Sequence, residues 1–112
     1  MIGSEKQIKW AEKIQAEKKA SFEEMKNQFA GNAPALKALN FIQTLEFASF
    51  WIDNKGTDIM SFIRDICSTG LRIRGIGFSH LATINETTGL ITTTWNEIDS
   101  KGGYKVIKVA TE

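Results

Sequence analysis

The hydrophobic pattern of this chain changes period once, at Gly70, and that change constrains the fold more than any other feature. Before it, apolar residues recur every three or four positions; after it, they alternate with polar residues or stand in β-branched runs. Helices gathered at one end of a chain and strands at the other define an α+β architecture. The expectation is about three N-terminal helices packed on a C-terminal antiparallel meander of three to four strands. At 112 residues the chain suffices for one core but not two, so residues 1–112 are read as a single domain, helical over about 4–69 and β over about 71–110.

The helical half carries its own punctuation. Ser4 followed by Gln7 is a capping box, and Ile8, Ala11, Ile14, Phe22, Met25 and Phe29 then follow one helical face, with Trp10 at its edge, so that Ile8, Trp10, Ala11 and Ile14 are expected to pack onto the domain. Lys18 interrupts that stripe, so either its stem snorkels past the apolar face or the helix breaks near Lys19 to Ser21, where Ser21 and Glu24 offer a second capping box. Gly31-Asn32 closes the segment, and Pro34 suits the first turn of a second helix capped by Asn32 or Ala33 and running to about Asn54.

That second helix is apolar on two sides. Leu36, Leu39, Phe47, Phe50 and Trp51 fall on one, and Phe41, Leu45, Ala48 and Ile52 on the other, so a partner or a second layer is expected to cover it. Phe41, Leu45 and Ile52 are therefore candidate contact residues. Asn54-Lys55-Gly56 ends the helix, and Thr57 is a cap for a third, with Ile59, Phe62, Ile63 and Ile66 inward.

Beyond Gly70, residues 78–84, 90–95 and 104–109 read as strands joined by the turn-rich segments 85–89 and 99–103. Leu71 to Ile76 either adds a strand or leads into the sheet, since Gly75 and Gly77 weaken a regular ladder. In an extended segment Arg72 and Arg74 share one face, a spacing suited to gripping phosphates or carboxylates, and Lys105 and Lys108 are candidates to extend the patch. Trp95 and Tyr104 are candidate stacking platforms for bases.

The balance of charge argues against a global polyanion site. Fourteen basic and 13 acidic residues leave a net charge of +1, too little for a field that holds nucleic acid or an anionic membrane, so any such site must be local. Chemistry has few footholds as well. Cys67 and His80 are the lone cysteine and histidine, too few soft ligands for structural zinc. His80 with Ser79 carries no signature of a catalytic triad, and the glycines at 70, 75 and 77 lack the Lys-Ser/Thr of a phosphate loop. The expectation is therefore no enzyme, no metal and no cofactor. The longest apolar run stops far short of the roughly 20 residues that span a bilayer, and the charged opening lacks the apolar core of a secretory signal, so a cytoplasmic protein without a membrane partner is expected.

The opening SEKQIKWAEKI, together with Phe50-Trp51-Ile52-Asp53-Asn54-Lys55, resembles a loose group of small proteins of bacterial phages and mobile elements. The resemblance implies an accessory protein that acts by binding, for example by blocking a host defence nuclease, and it implies no reaction. Two functions from different classes follow. One is a protein-binding module using Phe41, Leu45 and Ile52; the other is a nucleic-acid-binding module using Arg72, Arg74, Lys105 and Lys108. A homodimer is compatible with both.

Overall fold

The computed structural model describes the backbone of residues 1–75, 78–98 and 104–111, and the side chains of residues 1–73, 80–96 and 111. Among them are four helices, α1 (Glu5–Gln28), α2 (Ala33–Gln43), α3 (Ala48–Asp53) and α4 (Ile59–Cys67), followed by four strands, β1 (Leu71–Gly75), β2 (Phe78–Ile84), β3 (Ile91–Ile98) and β4 (Tyr104–Thr111). The strands form one antiparallel sheet in the order β1-β2-β3-β4. The fold is α+β, as the change of period at Gly70 predicts.

α1 starts where its sequence says. The Ser4 hydroxyl accepts from the Gln7 amide at 3.2 Å, and the Gln7 side chain accepts from the Ser4 amide at 3.0 Å, which satisfies two of the donors every helix start leaves open. The helix then runs unbroken through residues 19–21. Lys18 resolves the alternative by snorkelling: its ammonium donates to the Thr57 carbonyl at 2.6 Å and lies 5.9 Å from the centre of the Phe62 ring. Trp10 departs from expectation. It is 46% exposed, with the Lys55 ammonium 5.1 Å from its ring centre, while Ala11, Ile14 and Phe22 carry the packing.

The expected second helix is two helices. Asn32 caps α2 by accepting from the Ala35 amide at 3.1 Å, but the chain leaves the helix at Thr44, whose hydroxyl turns back to the Asn40 carbonyl at 2.9 Å. Three contacts, two of them from far along the chain, hold the break open. The buried Trp51 indole donates to the Leu45 carbonyl at 2.9 Å, the Gln15 amide reaches the same oxygen at 3.4 Å, and Ile2 forms a parallel bridge with Phe47. None of these is visible in the local spacing of residues 34–54. The two apolar sides read on a single wheel belong to two helices that turn different faces to the core.

Two smaller corrections concern caps. Asp58 caps α4, accepting from the Ser61 amide at 2.8 Å, one residue after the predicted Thr57. Among the described glycines only Gly3, Gly70 and Gly89 have positive φ, so Gly56 does not end α3 in the left-handed conformation. Gly70 does mark the passage from α4 to β1. Its φ is +109°, and a Cβ there would stand 2.8 Å from the Leu81 side chain, so the torsion calls for glycine and any larger residue would also displace Leu81.

The core is one cluster joining Ala11, Ile14 and Phe22 of α1 to Leu39 and Ile42 of α2, Phe50 and Trp51 of α3, Phe62 and Ile66 of α4, and Leu71, Ile73, Ala82, Ile84 and Ile91 of the sheet. Phe50 and Trp51 meet edge to face at 5.1 Å, and Phe22 meets Trp51 at 6.1 Å, the arrangement the quadrupoles of aromatic rings favour. The helical layer does not cover the sheet evenly. α3 packs on β1 and α4 on β1 and β2; residues 92–96 of β3 are only half-buried.

Candidate functional site

The sheet outreaches its helices, and an apolar recess opens at the step. Ile73, His80 and Trp95 sit side by side across β1, β2 and β3 in the register Ile73↔His80 and His80↔Trp95. The alternation of side chains along a strand puts Thr93 on the same face as Trp95. Phe41 from α2, and Leu45 and Phe47 from the break between α2 and α3, form the opposite wall. Together these seven residues enclose a recess of about 320 Å³.

His80 is its floor. The imidazole is 7% exposed and lies between two rings, meeting Phe47 edge-on at 5.1 Å and Trp95 at 5.0 Å. Burial pushes its pKa below the ordinary value of 6.5, because an ion is poorly solvated among hydrocarbon groups. A neutral imidazole at the bottom of an aromatic wall supplies a flat packing surface with a polar edge.

The residues singled out from the sequence divide. Phe41 and Leu45 are brought together in the recess, Phe41 half-buried and Leu45 8% exposed. Ile52 is not with them. It lies on α3, half-buried against the core cluster, and does not line the recess, because the break after α2 turns it away. Arg72 is exposed and shares a shallow hollow with Phe50, Asp53 and Asn54, so a carboxylate stands on the same surface as its guanidinium. The side chains of Arg74, Lys105, Lys108 and Tyr104 lie outside the described residues. In backbone register Lys108 stands opposite Trp95 and Lys105 opposite Glu97.

Sequence reasoning missed the joint role of Phe47, Ile73, His80, Thr93 and Trp95. The usable signal was register: the short 85–90 connection pairs Ile84 with Ile91 and thereby aligns His80 with Trp95. The connection is itself well specified, since the Asn85 side chain accepts from the Thr87 and Thr88 amides at 2.9 and 3.0 Å and Gly89 takes φ +74°.

Cys67 and the remaining hollows give no comparable assembly. Burial, followed by a hydrogen bond to Glu86 and the charge of its carboxylate, pushes the Cys67 thiol up, which disfavours the reactive thiolate. Among the described residues no three His, Cys, Asp or Glu side chains stand close enough to hold a metal ion, and no helix is long and apolar enough to cross a membrane. Set against protein-family models, curated proteins and solved structures, the chain matches none of them.

Proposed function

We propose that this chain is a non-enzymatic protein-binding module that receives an apolar side chain of a partner protein in the recess between the α2–α3 break and the face of β1, β2 and β3 that carries Ile73, His80 and Trp95. The observation that carries this reading is the recess itself: Phe41, Leu45, Phe47, Ile73 and Trp95 present hydrocarbon and aromatic surface around a volume of about 320 Å³, room for one large side chain. Buried aromatic pockets of this kind supply the anchors of protein interfaces, where a few residues carry most of the binding energy. The near-neutral charge of the chain also suits a protein partner better than a polyanion.

The resemblance of the opening segment and of Phe50 to Lys55 to proteins of phages and mobile elements gives the module a setting. Under this reading it is an accessory protein acting in the cytoplasm, and its partner is a host protein, such as a defence nuclease that it inhibits. Nucleic-acid binding by Arg72, Arg74, Lys105 and Lys108 is the competing outcome, and a labelled-DNA titration at low salt, where phosphate contacts are strongest, reads it directly.

The test is site-directed photocrosslinking in a host cell, with the crosslinker placed at Thr93 inside the recess and, for comparison, at Glu12 on the exposed side of α1. A discrete protein adduct at Thr93 that is absent at Glu12 is expected, and Phe41→Asp should abolish it while thermal unfolding stays cooperative. Adducts of equal yield at both positions, or an adduct insensitive to Phe41→Asp, would overturn the assignment.

A further inference from the structure

The residue that closes one side of the recess, Phe47, is held by the first three residues of the chain. The Ile2 amide donates to the Glu46 carbonyl at 2.6 Å and the Ala48 amide donates to the Ile2 carbonyl at 2.9 Å, so the backbone is pinned immediately before and immediately after Phe47. These bonds replace a helix cap. Phe47 is the N-cap of α3 and offers no side-chain acceptor, which leaves the first amide of that helix in need of one. The Ile2 carbonyl is that acceptor.

Gly3 makes the approach possible. Its φ is +152°, and a Cβ built there would lie 2.8 Å from the Ala48 Cβ, closer than real side chains come. Ala48 is fully buried and cannot give way. Any residue larger than glycine at position 3 therefore lifts the segment from Met1 to Gly3 away from Ala48. Leu45, on the same wall, is fixed differently: its carbonyl is held by the Trp51 indole and the Gln15 amide, neither of which involves the first three residues.

We propose that Met1 to Gly3 form a strap that positions Phe47, so that strap docking and filling of the recess are linked. With the strap docked, Phe47 stands edge-on to His80 and the recess has its observed depth. With the strap released, Phe47 moves while Leu45, beside it on the same wall, stays. By reciprocity, a side chain that enters the recess and displaces Phe47 loosens the strap by the same factor that strap release changes its affinity. The positioning role stands on the backbone bonds alone; the coupling to a bound side chain rests on the reading of the recess as a binding site.

The experiment compares the full chain with Gly3→Ala and with Ser4→Ala, which removes the α1 cap without touching the strap bonds. Nuclear magnetic resonance reads amide exchange at Ala48 and the Phe47–His80 ring contact, and titration with the amphipathic dye anilinonaphthalene sulfonate, whose aromatic rings seek apolar surface, reads the recess. Gly3→Ala is expected to speed Ala48 exchange by about five- to tenfold, the worth of one lost hydrogen bond, to weaken the Phe47–His80 contact, and to shift the dye's dissociation constant by a similar factor. Exchange of the core amides of β2 should stay unchanged. Ser4→Ala should alter none of these three signals. An undisturbed Phe47–His80 contact in Gly3→Ala, or an equal disturbance in Ser4→Ala, would overturn the strap. Because the ring contact is read in the free protein, its outcome is separate from whether a partner crosslinks at Thr93.

Discussion

The two halves of the sheet follow one alternating pattern and meet different fates. In the inner half, β1 and β2 turn Leu71, Ile73, Ala82 and Ile84 toward α3 and α4, and all four are buried. In the outer half, β3 buries Ile91 beside Ile84 but turns Thr93 and Trp95 toward the same side only half-buried, beyond the main helix contacts. What separates them is cover, not strand chemistry. The inner half stabilises the fold, and Thr93 and Trp95 of the outer half keep part of their surface open, the surface that the proposed partner would bury.

The sharpest way to break that comparison is Ile73→Ala. Ile73 is 1% exposed, and removing a buried isoleucine side chain costs about 2 to 5 kcal/mol, from lost transfer energy and the cavity left behind. The midpoint of urea unfolding should fall accordingly, with an unchanged slope. A loss under about 1 kcal/mol would mean that the helices do not seal the inner half.

Gly70→Ala comes next and probes how the chain enters that half. The substitution forces φ +109° on a residue with a Cβ and presses it to 2.8 Å from Leu81. Backbone strain of this type costs of order 1 to 3 kcal/mol, and calorimetry should show the loss as a lower unfolding temperature. Relaxation of the Leu81 side chain relieves the contact but not the torsion, so a neutral outcome would contradict the conformation at the α4–β1 junction.

The contrast between the halves also explains what the sequence could and could not reveal. The capping box at Ser4, the cap at Asn32, the inward face of α4 and the strand at 78–84 are local, and each depends on residues within one turn or one strand of itself. The break between Gln43 and Ala48 depends on Trp51, Gln15 and Ile2, the last two 30 or more positions from Leu45 or Phe47, and the local spacing across it still reads as helix. Trp10 fails for a related reason: it lies at the edge of its stripe, and whether an edge residue is covered depends on a neighbouring element. The recess depends on the first of these, the break, because Phe41 and Leu45 belong to it while Ile52, on the same imagined wheel, does not. Its sheet side was legible only through register.

His80 stands on the boundary of the two halves and gives a pH test of smaller size. Burial lowers its pKa from 6.5, so in the window below 6.5 and above the folded value the unfolded chain binds more protons than the folded one. Stability is then fully present above about pH 6.5 and is lost as the pH falls below it toward the folded pKa. The chain has one histidine, so the slope of unfolding free energy between pH 5 and 7 reports this residue. His80→Phe, which keeps a ring between Phe47 and Trp95, should flatten that slope. A slope of the opposite sign would mean that the imidazolium, not the imidazole, is the form the fold prefers.

The smallest effect belongs to the outer half on the other side of the sheet. Thr92 pairs with Thr83 on β2 and Thr111 on β4, and its hydroxyl lies 3.3 Å from that of Thr111. That bond is exposed, so breaking it exchanges one hydroxyl partner for water, and Thr92→Ala should cost about 0.5 kcal/mol or less. Thr92→Val should be close to neutral, since a β-branched side chain keeps the strand preference without the hydroxyl. Measured together by urea unfolding, Ile73→Ala and the two Thr92 variants weigh the halves on one scale. A loss above about 1.5 kcal/mol for Thr92→Ala would make the threonine pairing on that opposite face a second support of the fold, and the two halves would then differ in cover and not in what they contribute to stability.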